Sequence, residues 1–273
     1  MRERALLHAG GTPGTWGNLG LWPAPDYAQA CAALARCVGQ AAGLQAGSRV
    51  LSVGCGAGDE LALWVQEFGA AHVLGLEPEA GSAAAAARFA GAAVRVEQLP
   101  WFALTSVIDK ADAYDAVVCV DAAYHFSPRS AFLEAAWRAL RPGGRLAFTD
   151  LVVEPLAPST ARWPARMALR LGARLAGVQP DDLLDSQAGA ARLAQAGFTD
   201  VHVQRLDEAV LDGFARFARQ QQARLGRQAA ERAWRRVAVT ARLVPACRAA
   251  GLGMVLLAGT RPAGPGQGAS AAR

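Results

Sequence analysis

Apolar and polar positions along this chain follow two different periods, and the switches between them mark its elements. After a Gly/Pro/Trp-rich loop over Gly10–Pro25, Asp26 stands as an N-cap before a helical stretch that stops near Gly43. Ser48–Val53 is a short apolar run that ends at a glycine cluster, the mark of a buried strand. Asp59–Phe68 then takes helical spacing, with Leu61, Leu63, Trp64 and Phe68 as packing positions. His72–Leu76 predicts a second strand, Pro78–Ala90 a helix and Val94–Val96 a third strand. Tyr114–Val120 (Y-D-A-V-V-C-V) predicts a fourth. Ser127-Pro128 reads as N-cap and first position of a helix that runs to Leu140. Arg141-Pro-Gly-Gly144 breaks that helix before a fifth strand over Arg145–Thr149. Strands alternating with helices predict an α/β fold with a doubly wound, mostly parallel sheet covered on both faces.

After Asp150 the pattern changes. Residues from Leu151 to Gln195 read as helical and arginine-rich, without strands. Phe198–Gln204 and Leu252–Thr260 predict two late strands around a long basic helical stretch, which brings the sheet to seven. The chain therefore divides into an N-terminal lid and helix over 1–47, a core over 48–150 and a helical lid over 151–196. Late core strands with an inserted basic helix occupy 197–261, and a flexible Gly/Ala/Pro-rich tail occupies 262–273.

Composition changes this picture little. Of 28 basic residues in 273, all but Lys110 are arginine, and the net charge is +5. Such a balance suggests a polyanion or membrane partner, but 29 glycines and the wealth of alanine report in part the codon bias of a GC-rich, bacterial genome. A hydrophobic share of 52% excludes a disordered chain. No run of residues is long and apolar enough to predict a bilayer-spanning helix. The first residues carry charges of both signs and no sustained apolar run, so the expectation is a cytoplasmic protein without a leader. Five scattered cysteines with no C-x-x-C pair read as reduced thiols, and four distant histidines predict no metal site.

The sharpest local signal is Val53-Gly-Cys-Gly-Ala-Gly-Asp-Glu60, between a strand and a helix. Glycines there permit a tight turn and let a ligand approach backbone amides at the helix start. A dinucleotide fingerprint G-x-G-x-x-G would need glycine where Asp59 stands, and no Gly-Lys-Ser/Thr follows for a P-loop. Glu77 falls at the carboxyl end of the second strand, where a carboxylate can accept both hydroxyls of a ribose.

Four stretches then occur in order: V-L-S-V-G-C-G-A-G, V-L-G-L-E, Y-D-A-V-V-C-V-D and A-L-R-P-G-G-R-L. By these the chain resembles the class I S-adenosylmethionine-dependent methyltransferases. The resemblance covers residues 48–150, extends through the late strands, and makes 48–150 the cofactor-binding core. It implies that Gly54, Cys55, Gly56 and Gly58 admit the methionyl and ribose parts and that Glu77 holds the ribose. It further implies that Pro78 borders the adenine, with Gln98 and Leu99 near the adenine edge and Val120 and Asp121 at the fourth strand's exit. Ser52 departs from the pattern, which usually has Asp or Glu at that place.

The exit Val120-Asp-Ala-Ala-Tyr-His-Phe126 lacks the D/N-P-P-F/Y/W of nucleobase amino-methylating enzymes, so no nucleic-acid partner is expected. It resembles the E-S-x-x-H-F/M stretch of natural-product methyltransferases, such as the sugar O-methyltransferases of erythromycin and rebeccamycin assembly. In that alignment His125 takes the place of a histidine that acts as general base, and Asp150 matches an acid near it. An imidazole can remove a hydroxyl's proton, and a carboxylate on its other nitrogen would fix the tautomer. The implied activity is methyl transfer to a small molecule. The pattern points to a hydroxyl acceptor; C- or N-methylation of a lipophilic metabolite and, in another class, a nucleic-acid methyltransferase or binding module are the alternatives.

Thr15–Trp22 resembles the N-L-H-x-G-Y-W segment that closes the site in those enzymes, which makes Trp16, Trp22 and Tyr124 candidate substrate contacts. In the insert, Arg162, Arg166, Arg170 and Arg174 recur every four residues, with Trp163, Met167, Leu171 and Leu175 one residue on. This is an amphipathic helix whose arginine row faces solvent, an anionic acceptor or, weakly, a membrane surface.

Overall fold

The computed structural model describes residues 2–103, 114–155, 163–178, 183–227 and 232–263. A short helix, α1 (Arg2–Leu7), precedes the loop, and α2 (Tyr27–Ala41) begins where Asp26 accepts from the Gln29 N–H. The first half then alternates β1 (Arg49–Val53), α3 (Asp59–Gln66), β2 (His72–Leu76), α4 (Ala80–Ala86), β3 (Val94–Glu97) and β4 (Tyr114–Cys119). There follow α5 (Arg129–Ala139), β5 (Leu140–Val153), α6 (Trp163–Ala176), α7 (Ser186–Gln195) and β6 (Thr199–Arg205). The chain ends on α8 (Gly213–Leu225), α9 (Arg232–Ala249) and β7 (Leu252–Thr260).

These strands form one seven-stranded sheet in the order β3-β2-β1-β4-β5-β7-β6. β1 to β5 run parallel, and β7 enters antiparallel between β5 and β6. Helices cover both faces. One core joins Leu34, Val38, Trp64, Phe214 and Trp234 against Val50, Val118 and Leu256. The other joins Phe132, Leu133 and Leu193 against Leu51, Val117 and Phe148. Side-chain alternation along each strand supplies both, because neighbouring residues point to opposite faces.

Several boundaries differ from the sequence reading: β5 already begins at Leu140, through the expected break at 141–144, and the helix expected over Pro78–Ala90 is Ala80–Ala86. Residues 151–153 continue β5 as strand and pair with Met254, Gly253 and Leu252, so the helical insert begins after them. The long antiparallel partner β7 supplies the hydrogen bonds, an influence that local pattern does not carry. α5 starts at Arg129 with Pro128 as its cap residue, not with Ser127. Pro128 has extended backbone and its side chain makes no cap hydrogen bond. Arg162 and the tail beyond residue 263 lie outside the described residues.

Candidate active site

The carboxyl ends of β1, β2 and β4 open onto one cleft of about 260 Å³, lined by the glycine loop, Glu77, Val120, Asp121, His125 and the segment Thr15–Asn18. Gly54, Gly56 and Gly58 have φ of 76°, 57° and 86°, a region where a Cβ is strained. A Cβ on Gly54 would lie 2.7 Å from that of Ala122, and one on Gly58 2.8 Å from Ala86. The loop is thus bare because of its positive φ at all three glycines and, at Gly54 and Gly58, because Ala122 and Ala86 leave no room for a side chain.

Glu77 ties the loop to the β2 exit. It accepts from Gly56 N at 2.9 Å and from Glu79 N at 3.0 Å, one bond to each oxygen. Lone pairs remain on both oxygens for ribose hydroxyls. A second carboxylate, unforeseen, lines the same cleft. Glu60, on the first turn of α3, is buried and accepts a hydrogen bond from Ser52 Oγ. Its carboxyl therefore stands beside the β1 position that the family fills with an acid. Burial pushes its pKa up to about 8, against the Ser52 hydrogen bond and with help from the Glu77 and Asp59 charges.

The N-terminal segment is strapped across the cleft. Thr15 donates through N and Oγ1 to Asp59, the residue that breaks the dinucleotide pattern. Tyr27 Oη donates to Asn18 O at 2.7 Å, and Leu19 N donates to Asp121 Oδ2 at 2.7 Å. Asp121 also accepts from Tyr124 Oη at 2.9 Å. Burial lifts the Asp121 pKa to about 7, opposed by the Leu19 and Tyr124 hydrogen bonds.

A second cavity, about 130 Å³ and almost wholly apolar, lies next to the first under α6 and α9. Leu151, Leu169, Ala173, Phe214, Val244 and Leu252 form much of its wall. Consecutive residues join the two chambers. Asn18 and His125 line the polar cleft, while Leu19 and Tyr124 line the apolar cavity.

His125 ends a single 3-10 turn, Ala123–His125, after β4. Partial burial holds its pKa below the usual range; a Gly177 backbone hydrogen bond opposes this and the Arg129 charge adds to it. The ring is therefore neutral near pH 7 and can accept a proton. Asp150 does not pair with it as expected. Its oxygens meet Arg129, with Nε–Oδ2 at 2.8 Å and Nη2–Oδ1 at 3.0 Å, both residues buried. Arg129 Nη1 also donates to the carbonyls of Ala123 and Phe126, the ends of the turn that carries His125. A buried guanidinium needs a carboxylate, and the nearest one is taken by that need. Asp150 thus acts on His125 through Arg129 and the turn.

The structure brings Gly54, Cys55, Gly56, Gly58, Glu77, Val120, Asp121, His125 and Trp16 around one cleft. It places Pro78, Gln98 and Leu99 beyond the ends of β2 and β3, outside that lining. Trp22 lines neither chamber. Its indole stacks on Phe217 at 4.7 Å and packs over Gly213, because α8 offers it an apolar face. Glu60 and Arg129 escaped the sequence reading, although Glu60 beside a missing acid at Ser52 was a usable signal.

Residues 51–146 match the family model described as a methyltransferase domain. The chain carries a methyltransferase domain. Erythromycin 3''-O-methyltransferase of Saccharopolyspora erythraea is 28% identical over 211 residues, covering 75% of this chain and 69% of that protein. The crystal structure of the [4+2]-cyclase SpnF superposes with a TM-score of 0.70 at 22% identity, covering 96% of this chain and 92% of its own. A mycolic acid cyclopropane synthase complexed with SAH and CTAB gives 0.71 at 20% identity, covering 95% and 93%. The protein is a class I S-adenosylmethionine-dependent methyltransferase that resembles natural-product enzymes.

Proposed function

We propose that this methyltransferase acts on a hydroxyl of a lipophilic small molecule, with His125 as general base. The observation that carries the reading is the seam between two chambers of opposite polarity. The polar cleft against the glycine loop suits a charged nucleoside cofactor, and the apolar cavity suits a lipophilic acceptor. Gly54, Cys55, Gly56 and Gly58 would receive the methionyl and ribose parts, and Glu77 the ribose hydroxyls. Glu60 would face the cofactor's positive charge in place of an acid at position 52. Pro78, Gln98 and Leu99 would border the adenine at the open end, with Val120 and Asp121 at the floor. S-adenosylmethionine supplies an electrophilic methyl on a sulfonium leaving group. The chain must then hold the acceptor oxygen in line and accept its proton.

Trp16 lies on the cofactor side and Tyr124 on the acceptor side of this seam, while Trp22 braces the strap from behind. Residues 1–47 and the insert of 151–196, from which 151–153 are now excepted, serve as lids over the 48–150 core. The strands of 197–261 complete the sheet. A second reading has one observation behind it. Tyr124 lines the acceptor cavity while hydrogen-bonded to Asp121, whose raised pKa suits proton transfer, so this pair could take the hydroxyl's proton instead.

The test is radiolabelled methyl transfer from S-adenosylmethionine to a panel of hydroxylated lipophilic metabolites, with NMR placing the new methyl on oxygen, carbon or nitrogen. His125→Ala should cut turnover about a hundredfold or more while cofactor binding persists. Near-full turnover in that variant, together with collapse in Tyr124→Phe, assigns the proton to the second pair. A methyl found on carbon overturns the hydroxyl assignment.

A further inference from the structure

The insert helix α6 exposes what most surface helices hide. Trp163 is 74% exposed, Met167 43%, Leu171 48% and Leu175 47%. These four recur every four residues and form one row along the helix, beside the exposed arginines Arg166, Arg170 and Arg174. Neither α6 nor its neighbour α9 contains an acidic residue. On α9, Arg235, Arg236 and Arg242 are exposed near Val239, itself 40% exposed. Among the described residues, none of these six arginines is in an ion pair.

The row leads inward. Leu175 is exposed at the surface and also lines the apolar cavity, as does Thr240 on the exposed side of α9. The opposite face of α6 supplies Leu169, Gly172 and Ala173 to the same cavity wall. One helix therefore presents large apolar side chains and cations outward and roofs the acceptor chamber inward. No described helix is long and apolar enough to cross a membrane, so the arrangement suits a surface and not a span.

We propose that α6, flanked by α9, docks on an anionic lipid surface and that a lipophilic acceptor enters the cavity from that surface at Leu175. Apolar side chains at the boundary of headgroup and acyl chain, with arginines reaching the phosphates, are the two elements such a helix needs. Charge complementarity selects lipid headgroups over a neutral apolar partner: among the described residues the two helices offer cations outside any ion pair and carry no acid. Docking stands on the surface alone, whereas delivery rests on the assignment of the cavity to the acceptor.

The experiment is flotation of the full chain with vesicles of phosphatidylcholine, alone or with about a third phosphatidylglycerol. At low salt the protein should bind the anionic vesicles about a hundredfold more tightly than the neutral ones, the share expected of three surface cations. Raising the salt to about 0.5 M should remove most of that preference. Arg166→Gln/Arg170→Gln/Arg174→Gln should lose the preference for anionic lipid, and Met167→Ser/Leu171→Ser should weaken binding to the same vesicles. Both variants should keep wild-type affinity for S-adenosylmethionine by calorimetry, which shows them folded. Failure to float with anionic vesicles at low salt, or binding unchanged in both variants, overturns the proposal and leaves the face to a protein partner. Methylation of a detergent-dispersed acceptor in that event would keep the acceptor assignment and remove only the docking. Docking without any activity on lipophilic acceptors would keep the surface and remove the delivery.

Discussion

Glu60 offers the most direct test of the cofactor site, because its burial has opposite consequences for the empty and the loaded protein. Its pKa stands at about 8, against an ordinary 4.5. At about 1.4 kcal/mol per unit, ionising it in the empty cleft costs on the order of 5 kcal/mol. Between pH 4.5 and 8 the folded empty chain thus holds one proton that the unfolded chain has released. Its stability should fall as pH rises through that window and level off above it. A bound cation reverses the preference by stabilising the carboxylate, so cofactor binding should release the proton. The apparent affinity for S-adenosylmethionine should then rise by up to about tenfold per pH unit below pH 8. Asp121 lines the same cleft with a pKa of about 7 and adds its own proton at lower pH. Glu60→Gln isolates the effect. It should weaken cofactor binding about tenfold or more at pH 8, flatten the pH dependence that Asp121 does not explain, and raise the melting temperature of the empty protein there. Calorimetry in buffers of different ionisation enthalpy counts the released proton. Equal affinity and equal proton release in wild type and Glu60→Gln would refute the reasoning.

Two further outcomes concern the frame of the site. Arg129→Ala leaves Asp150 buried without its cation and frees the turn at Ala123–Phe126; it should cost about 3–5 kcal/mol in chemical denaturation. Replacing both partners, Arg129→Met with Asp150→Leu, should recover much of that stability but not turnover, since the carbonyls that hold the His125 turn stay unpaired. Trp22→Ala removes the stack on Phe217 and should cost about 3 kcal/mol, while cofactor affinity stays within about twofold because the indole lines neither chamber.

Much of the fold was legible because strands and helices here carry their periods locally. The runs at Arg49–Val53, His72–Leu76 and Leu252–Thr260 are apolar enough to be buried on both faces, and each became a strand of the central sheet. The glycine loop was legible for a similar reason: three positions of positive φ in five residues strongly favour glycine. What stayed hidden is what depends on distant partners. Residues 151–153 belong to β5 because β7, a hundred residues later, pairs with them. Asp150 faces Arg129 because that guanidinium, buried by packing of α5, has to be neutralised. Glu60 gains its place because Ser52 leaves a polar position on β1 without an acid, a relation between two elements and not a motif.

The insert helix shows most clearly how a periodic pattern can be read correctly and still leave its partner open. An arginine row beside an aliphatic row predicts an amphipathic helix, and on the ordinary reading the aliphatic row is the one that packs. In α6 the packing face is instead made of small residues: Ala165 and Ala173 are buried, and a Cβ on Gly172 would come within 3.2 Å of Cys247 Sγ on α9. Close approach of two helices requires small side chains between them, and that requirement turns the larger apolar residues outward. The side chains with the most to gain from leaving water are then the ones left in it, next to the arginines of a helix that carries no acid. Such a face is tolerated in the folded chain because α6 is held from its other side, and its remaining apolar area is available to whatever surface meets it.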